Sequence, residues 1–158
     1  MNPKHLSIRV AQCQLLATAS NCPRRRVGAL LIDPGRNVVL MDGYNGGPRG
    51  GGPLCGHGAC LRDKLLIESG TRTEIGCHHA EMNVICNAAA AGVPTLGAWM
   101  IVQCEPCLLC AKLIHHAGIA KVIVTSQDYP GDGMEYLSQN KVSVQVYRPE
   151  DQPAETAL

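Results

Sequence analysis

Two short stretches, His79-Ala80-Glu81 and Pro106-Cys107-Leu108-Leu109-Cys110, constrain this chain more than any others. His79, Cys107 and Cys110 are three zinc-ligand types, one fewer than the four protein ligands that close a structural zinc site. A catalytic zinc keeps that fourth position for water, whose proton it loosens towards neutral pH. For all three side chains to reach one ion, the stretches around residues 79 and 107 must meet in space. Glu81 stands two residues beyond the first ligand, an acid left over for moving a proton.

Each stretch alone has a plainer reading. An isolated His-Ala-Glu fits a helix surface, and Cys-x-x-Cys also occurs as a redox pair. Their conjunction in this order decides for the metal: H-x-E followed by P-C-x-x-C is the signature of zinc-dependent nucleobase deaminases.

Composition narrows the class. A chain of 158 residues suffices for one domain with a continuous core, read here as residues 1–147 with a frayed tail over 148–158. With Phe absent and a single Trp, that core must come from Leu, Ile, Val, Ala and Met. A formal charge of +1 argues against a nucleic-acid surface, which needs clustered Lys and Arg. Arg24-Arg25-Arg26 is too short for a nucleic-acid arm but sufficient for one phosphate. Nine cysteines, with no signal-peptide pattern and no membrane-length apolar run, read as reduced cytoplasmic thiols partly committed to metal. Cys13, Cys86 and Cys104 are expected as small core residues.

Periodicity predicts helices over 5–19, 60–69, 79–91, 107–117 and 133–139. It predicts strands over 27–33, 37–44, 98–103, 122–125 and 142–147, the first two forming a hairpin about Pro34-Gly35-Arg36. The Gly-rich residues 45–57 read as a loop that lets backbone approach a ligand. This order implies a mixed five-stranded sheet with helices on both faces, the last two strands parallel across a helical crossover. His79 and Cys107 then fall in the first turns of their helices, where the positive helix end favours thiolate. Cys107 and Cys110, three apart, share one helix face.

Five stretches, in order, resemble the deoxycytidylate (dCMP) deaminases of the cytidine deaminase-like superfamily. They are Asn21-Cys22-Pro23-Arg24-Arg25-Arg26-Val27-Gly28-Ala29, Gly43-Tyr44-Asn45-Gly46-Gly47-Pro48-Arg49-Gly50, His79-Ala80-Glu81-Met82-Asn83, Glu105-Pro106-Cys107-Leu108-Leu109-Cys110 and Gly118-Ile119-Ala120-Lys121-Val122. The resemblance implies a three-layer α-β-α fold and zinc-dependent hydrolysis of dCMP to dUMP and ammonia, supplying dUMP for thymidylate synthesis. It implies Glu81 as the proton carrier, Asn45 at the sugar hydroxyl, the Ala80 backbone at the pyrimidine O2, and Tyr129 near the base. Arg26 and Asn83 become candidates for phosphate or subunit contacts. It further implies a hexamer, effector control by dCTP and dTTP, with Mg2+ accompanying dCTP, and a second, structural zinc. Cys55, Cys60, Cys77 and His78, with His57, are the candidate ligands for that zinc.

Two rivals remain at this point. One is a deaminase of another cytidine-type nucleotide, including a 5-substituted dCMP. The other is a non-catalytic zinc protein that binds nucleotides as a regulator, which would have no use for Glu81.

Overall fold

The computed structural model describes residues 1–50, 55–56, 59–127 and 131–149. Asn2 opens the first helix, its side-chain oxygen accepting the His5 N–H at 2.8 Å, and Pro3 follows where no N–H is needed. α1 then runs Pro3–Ala17, burying Leu6, Val10, Cys13 and Ala17 along one stripe. β1 (Gly28–Asp33) and β2 (Val38–Tyr44) form the expected antiparallel hairpin. Its turn is tied by Asp33 Oδ1, which accepts the Gly35 and Arg36 N–H groups. A two-residue pair follows, β3 (Cys55–Gly56) and β4 (Ala59–Cys60), which periodicity had not indicated.

The helix expected over 60–69 is a correction. Only α2 (Leu61–Lys64) forms, and the chain leaves it through Leu66 at φ 55°. None of the four α2 residues is buried, so there is no packing to extend the helix. Then come α3 (Ala80–Ala91), β5 (Trp99–Val102), α4 (Leu108–His116), β6 (Lys121–Val124), α5 (Gly133–Gln139) and β7 (Ser143–Val146). No helix among the described residues is long and apolar enough to cross a membrane.

The five long strands make one mixed sheet in the order β2-β1-β5-β6-β7. β1 runs antiparallel to both β2 and β5, so β2 and β5 point the same way; β5, β6 and β7 are mutually parallel. Three crossovers, β2-α3-β5, β5-α4-β6 and β6-α5-β7, all step across the sheet in one direction. Parallel crossovers are right-handed, so their three helices must share one face. α1 alone covers the other.

Strand alternation separates the two cores. Ala29 and Leu31 of β1, with Met100, Val102, Val122 and Val124, meet α3, α4 and α5. Leu30 and Ile32, with Ile101 and Ile123, meet Leu6, Val10 and Cys13 of α1. Each fully buried side chain of this kind contributes about 1.5–3 kcal/mol. Cys13 is core, its thiol pushed up to about 12 chiefly by burial. Cys86 corrects the sequence reading: it is exposed, because Val84 and Ala88 on either side of it in α3 face the sheet. Cys104 is half-buried.

One consequence of the topology governs the rest. α3, α4 and α5 all begin at the carboxyl ends of parallel strands, so their three N-termini converge at one end of the sheet. That is where ligand sites form in open α/β sheets.

Candidate metal centre and active site

His79 and Cys107 are the N-cap residues of α3 and α4, one residue earlier than the first turns expected. Both have extended backbone, at φ −72° ψ 155° and φ −68° ψ 164°, and neither side chain caps its own helix. Both turn towards each other instead. His79 Nδ1 lies 3.6 Å from Cys107 Sγ and 3.5 Å from Cys110 Sγ. The three donor atoms lie within 4.8 Å of one another, the only such trio of His, Cys, Asp or Glu among the described residues.

These distances test the metal directly. Zinc bonds of about 2.0–2.1 Å to nitrogen and about 2.3 Å to sulfur, at tetrahedral angles, hold N and S about 3.6 Å apart. The observed separations match, so the donor set fits zinc without rearrangement. Cys110 is fully buried, Cys107 half-buried and His79 exposed, so the centre is closed on one side and open on the other.

Charge is arranged accordingly. The hydrogen bond from Cys110, reinforced by His79, holds the Cys107 thiol well below its ordinary value. The same bond and burial push Cys110 up. His79 is raised, first by its bond to Cys107. The lowered Cys107 thiol favours thiolate, the form that binds metal. Glu81 is buried, 5% exposed, and stays outside the donor trio although it shares the first turn of α3. Burial raises its carboxyl and the His79 charge opposes that rise. A base shifted upward is what proton transfer near neutral pH requires.

The surrounding loops fix these positions. His78 and Gly46 exchange backbone hydrogen bonds of 2.8 and 3.1 Å, an isolated antiparallel bridge that fixes the backbone just before His79. Asn45 is buried beside this bridge. Its Oδ1 accepts the Val27 N–H at 2.8 Å and its Nδ2 donates to the Arg25 carbonyl at 2.8 Å, leaving one Oδ1 lone pair. Ala80 is buried as the first residue of α3, where a backbone N–H has no acceptor within the helix. Arg26 is exposed. Cys60 is buried and His78 exposed, and with Cys77 they form no trio of the kind made by His79, Cys107 and Cys110. His57, Tyr129 and residues 150–158 of the expected tail lie outside the described residues, as does the side chain of Cys55.

A cleft of about 850 Å³ sits on the other flank of α3, between Met82, Asn83, Cys86 and Asn87 and the chain around Tyr44 and Arg49. None of the donor trio lines it, nor does Glu81, although His78, next to the first ligand, does. The sequence reading gave no role to Glu105 or Asp132, which bind the loops at the start of α4. The acidic type of Asp132 between Gly131 and Gly133 was the available signal, but only the packing pairs it with Leu108 and pairs Glu105 with Gln127 and Gly131.

Residues 4–126 match the family model described as the cytidine and deoxycytidylate deaminase zinc-binding region. ComE operon protein 2 of Bacillus subtilis is 40% identical over 120 residues, covering 76% of this chain and 58% of that protein. Deoxycytidylate deaminase of Schizosaccharomyces pombe is 34% identical over 139 residues, covering 85% and 41%. The chain thus spans about half the length of these relatives. The crystal structure of dCMP deaminase from the cyanophage S-TIM5, in complex with dCMP and dUMP, superposes with a TM-score of 0.76 at 28% identity, covering 93% of this chain and 99% of that one. Sequence motifs, donor geometry and fold agree, and the chain belongs to the cytidine and deoxycytidylate deaminase zinc-binding family.

Proposed function

We propose that this protein is a deoxycytidylate deaminase, converting dCMP and water to dUMP and ammonia. The observation that carries the reading is the donor trio at tetrahedral spacing with a buried acid beside it but not in it. His79, Cys107 and Cys110 would hold zinc, which when bound supplies Lewis-acid activation of a water. Glu81 accepts a proton from water and delivers it to N3 of the base, then takes the second proton from the new C4 hydroxyl and gives it to the departing amine. Oxygen from water replaces that amine, and ammonia leaves.

Substrate positions follow from the same end of the sheet. The Ala80 N–H, pointing out of the α3 terminus, suits the pyrimidine O2. Asn45, through its remaining lone pair, suits the sugar hydroxyl. Arg26, exposed and cationic, suits the phosphate; for Tyr129 at the base the resemblance alone is the support. Support for dCMP among related nucleotides comes from the relatives named deoxycytidylate deaminase and from the structure bound to dCMP and dUMP.

The reading extends to a cytoplasmic hexamer controlled by dCTP with Mg2+ and by dTTP, for which the resemblance is the support. A second zinc on Cys55, Cys60, Cys77 and His78 is supported by the β3-β4 pairing, which sets Cys55 opposite Cys60. Metal analysis distinguishes one zinc per chain from two.

Glu81→Gln tests the mechanism. Zinc content should stay at the wild-type level while ammonia release from dCMP falls by about 10²–10⁴-fold. Retained turnover would sink the proton-carrier role. Wild-type protein that leaves dCMP untouched but turns over a 5-substituted dCMP would move the substrate within the class.

A further inference from the structure

We propose that Asp132 is a positioning residue for the metal centre, capping α4 from a neighbouring helix and so fixing the backbone that carries Cys107. An N-cap side chain normally supplies an oxygen to the first free N–H groups of its own helix. Cys107 cannot do this, because its sulfur is turned to His79. Asp132 occupies the N-cap position of α5 but makes no side-chain bond to that helix. Its Oδ1 accepts the N–H of Leu108 at 2.8 Å instead. Leu108 is the first residue of α4 and follows Cys107 directly.

The contact is part of a two-way latch that ties residues 105–108 to Gln127 and to residues 131–133. Gly133 N–H donates to the Pro106 carbonyl at 3.0 Å. Gly131 N–H donates to Glu105 Oε2 at 2.9 Å, and Gln127 Nε2 to Glu105 Oε1 at 3.0 Å. A Cβ on Gly133 would lie 2.4 Å from the Pro106 oxygen, so the two segments close only because that residue is glycine. Convergence of the α4 and α5 N-termini at one end of the sheet brings the latch together.

Geometry, rather than charge, gives Asp132 its role. Its second carboxylate oxygen pairs with Arg72, which offsets the carboxylate's negative charge. The side chains of that ion pair are 77% and 44% exposed, where such pairs add little. The acceptor oxygen is what α4 requires. Asparagine keeps an oxygen in that place; alanine does not.

The inference rests on zinc as the metal of this site, and the test separates the two. Zinc affinity of the purified protein is measured by competition with a chromophoric chelator, together with the absorption bands of the cobalt(II)-substituted form. Asp132→Ala should weaken zinc by about 10–100-fold, the usual consequence of losing a residue that orients a ligand, and shift the cobalt bands. Asp132→Asn should restore both close to wild type, and Arg72→Ala should alter neither. Wild-type affinity and an unchanged cobalt spectrum in Asp132→Ala would overturn the proposal, as would an Asp132→Asn variant as weak as alanine. Wild-type protein that binds no zinc would overturn the metal reading and the cap's purpose with it. Should the alanine variant fail to fold, amide exchange in the wild type decides: Leu108 should be protected, and exchange at the rate of an open amide would overturn the cap.

Discussion

The helices that deliver His79 and Cys107 begin in the same way and are seated in opposite ways. Both start on an extended N-cap residue whose side chain has left its helix for the metal. α3 is held by contact: Gly43 of β2 lies under it so closely that a Cβ there would come within 2.9 Å of the Val84 nitrogen. Ala80, Val84 and Ala88 fill the gap to the sheet, while Asn83 and Asn87 reach over to the Tyr44 and Asp42 carbonyls at 2.7 and 3.2 Å. Those carbonyls lie on β2, at the edge of the sheet. α4 is held at its start by polar bonds to the loop before α5. Both helices pack on the sheet; one ligand rides on the helix pressed and pinned against the edge strand, the other two on the helix pinned at its start to the loop before α5. The site has two independent supports, and each can be weakened separately.

The sharpest break removes the meeting point itself. Cys110→Ala leaves two donors from the trio and should weaken zinc by more than the roughly 100-fold that losing an orienting neighbour can cost, as metal analysis after dialysis would show. On the α4 side, Gly133→Ala forces a methyl against the Pro106 carbonyl and should cost about 3 kcal/mol or more, read by denaturant unfolding. It should also impair zinc retention, since the strain falls beside Cys107. On the α3 side, Gly43→Ala meets the helix backbone at 2.9–3.2 Å and should cost about 1–3 kcal/mol. Asn83→Ala removes a single pin from the edge strand and should cost about 0.5–1.5 kcal/mol with zinc content unchanged. If the two glycine variants lost zinc in equal measure at equal loss of stability, the two seats would not be independent, and the comparison would fail.

Much of this was legible in the chain. The helix over 79–91 shows itself through its Ala-rich run and Gly92, which caps it at φ 66°. The parallel pairing of the last two strands follows from the helix between them. The donor trio was readable because metal chemistry permits few residue types at few spacings. Where local signals were weak the reading missed. Residues 60–69 have a helical pattern but bury only Cys60, and Cys86 looks like core until the helix phase is fixed by Val84 and Ala88.

By itself, then, the sequence determined the order of the five main strands and the helices between them, and the identity of the three ligands and their acid. These depend on period, residue type and spacing, all local properties. Tertiary structure alone decided that three helix N-termini meet at one end of the sheet, that the trio opens on its His79 side, and that Asp132 turns away from its own helix to serve Leu108. The handedness of successive crossovers brings those ends together, and hydrogen bonds between loops far apart in the chain have no signature until they do.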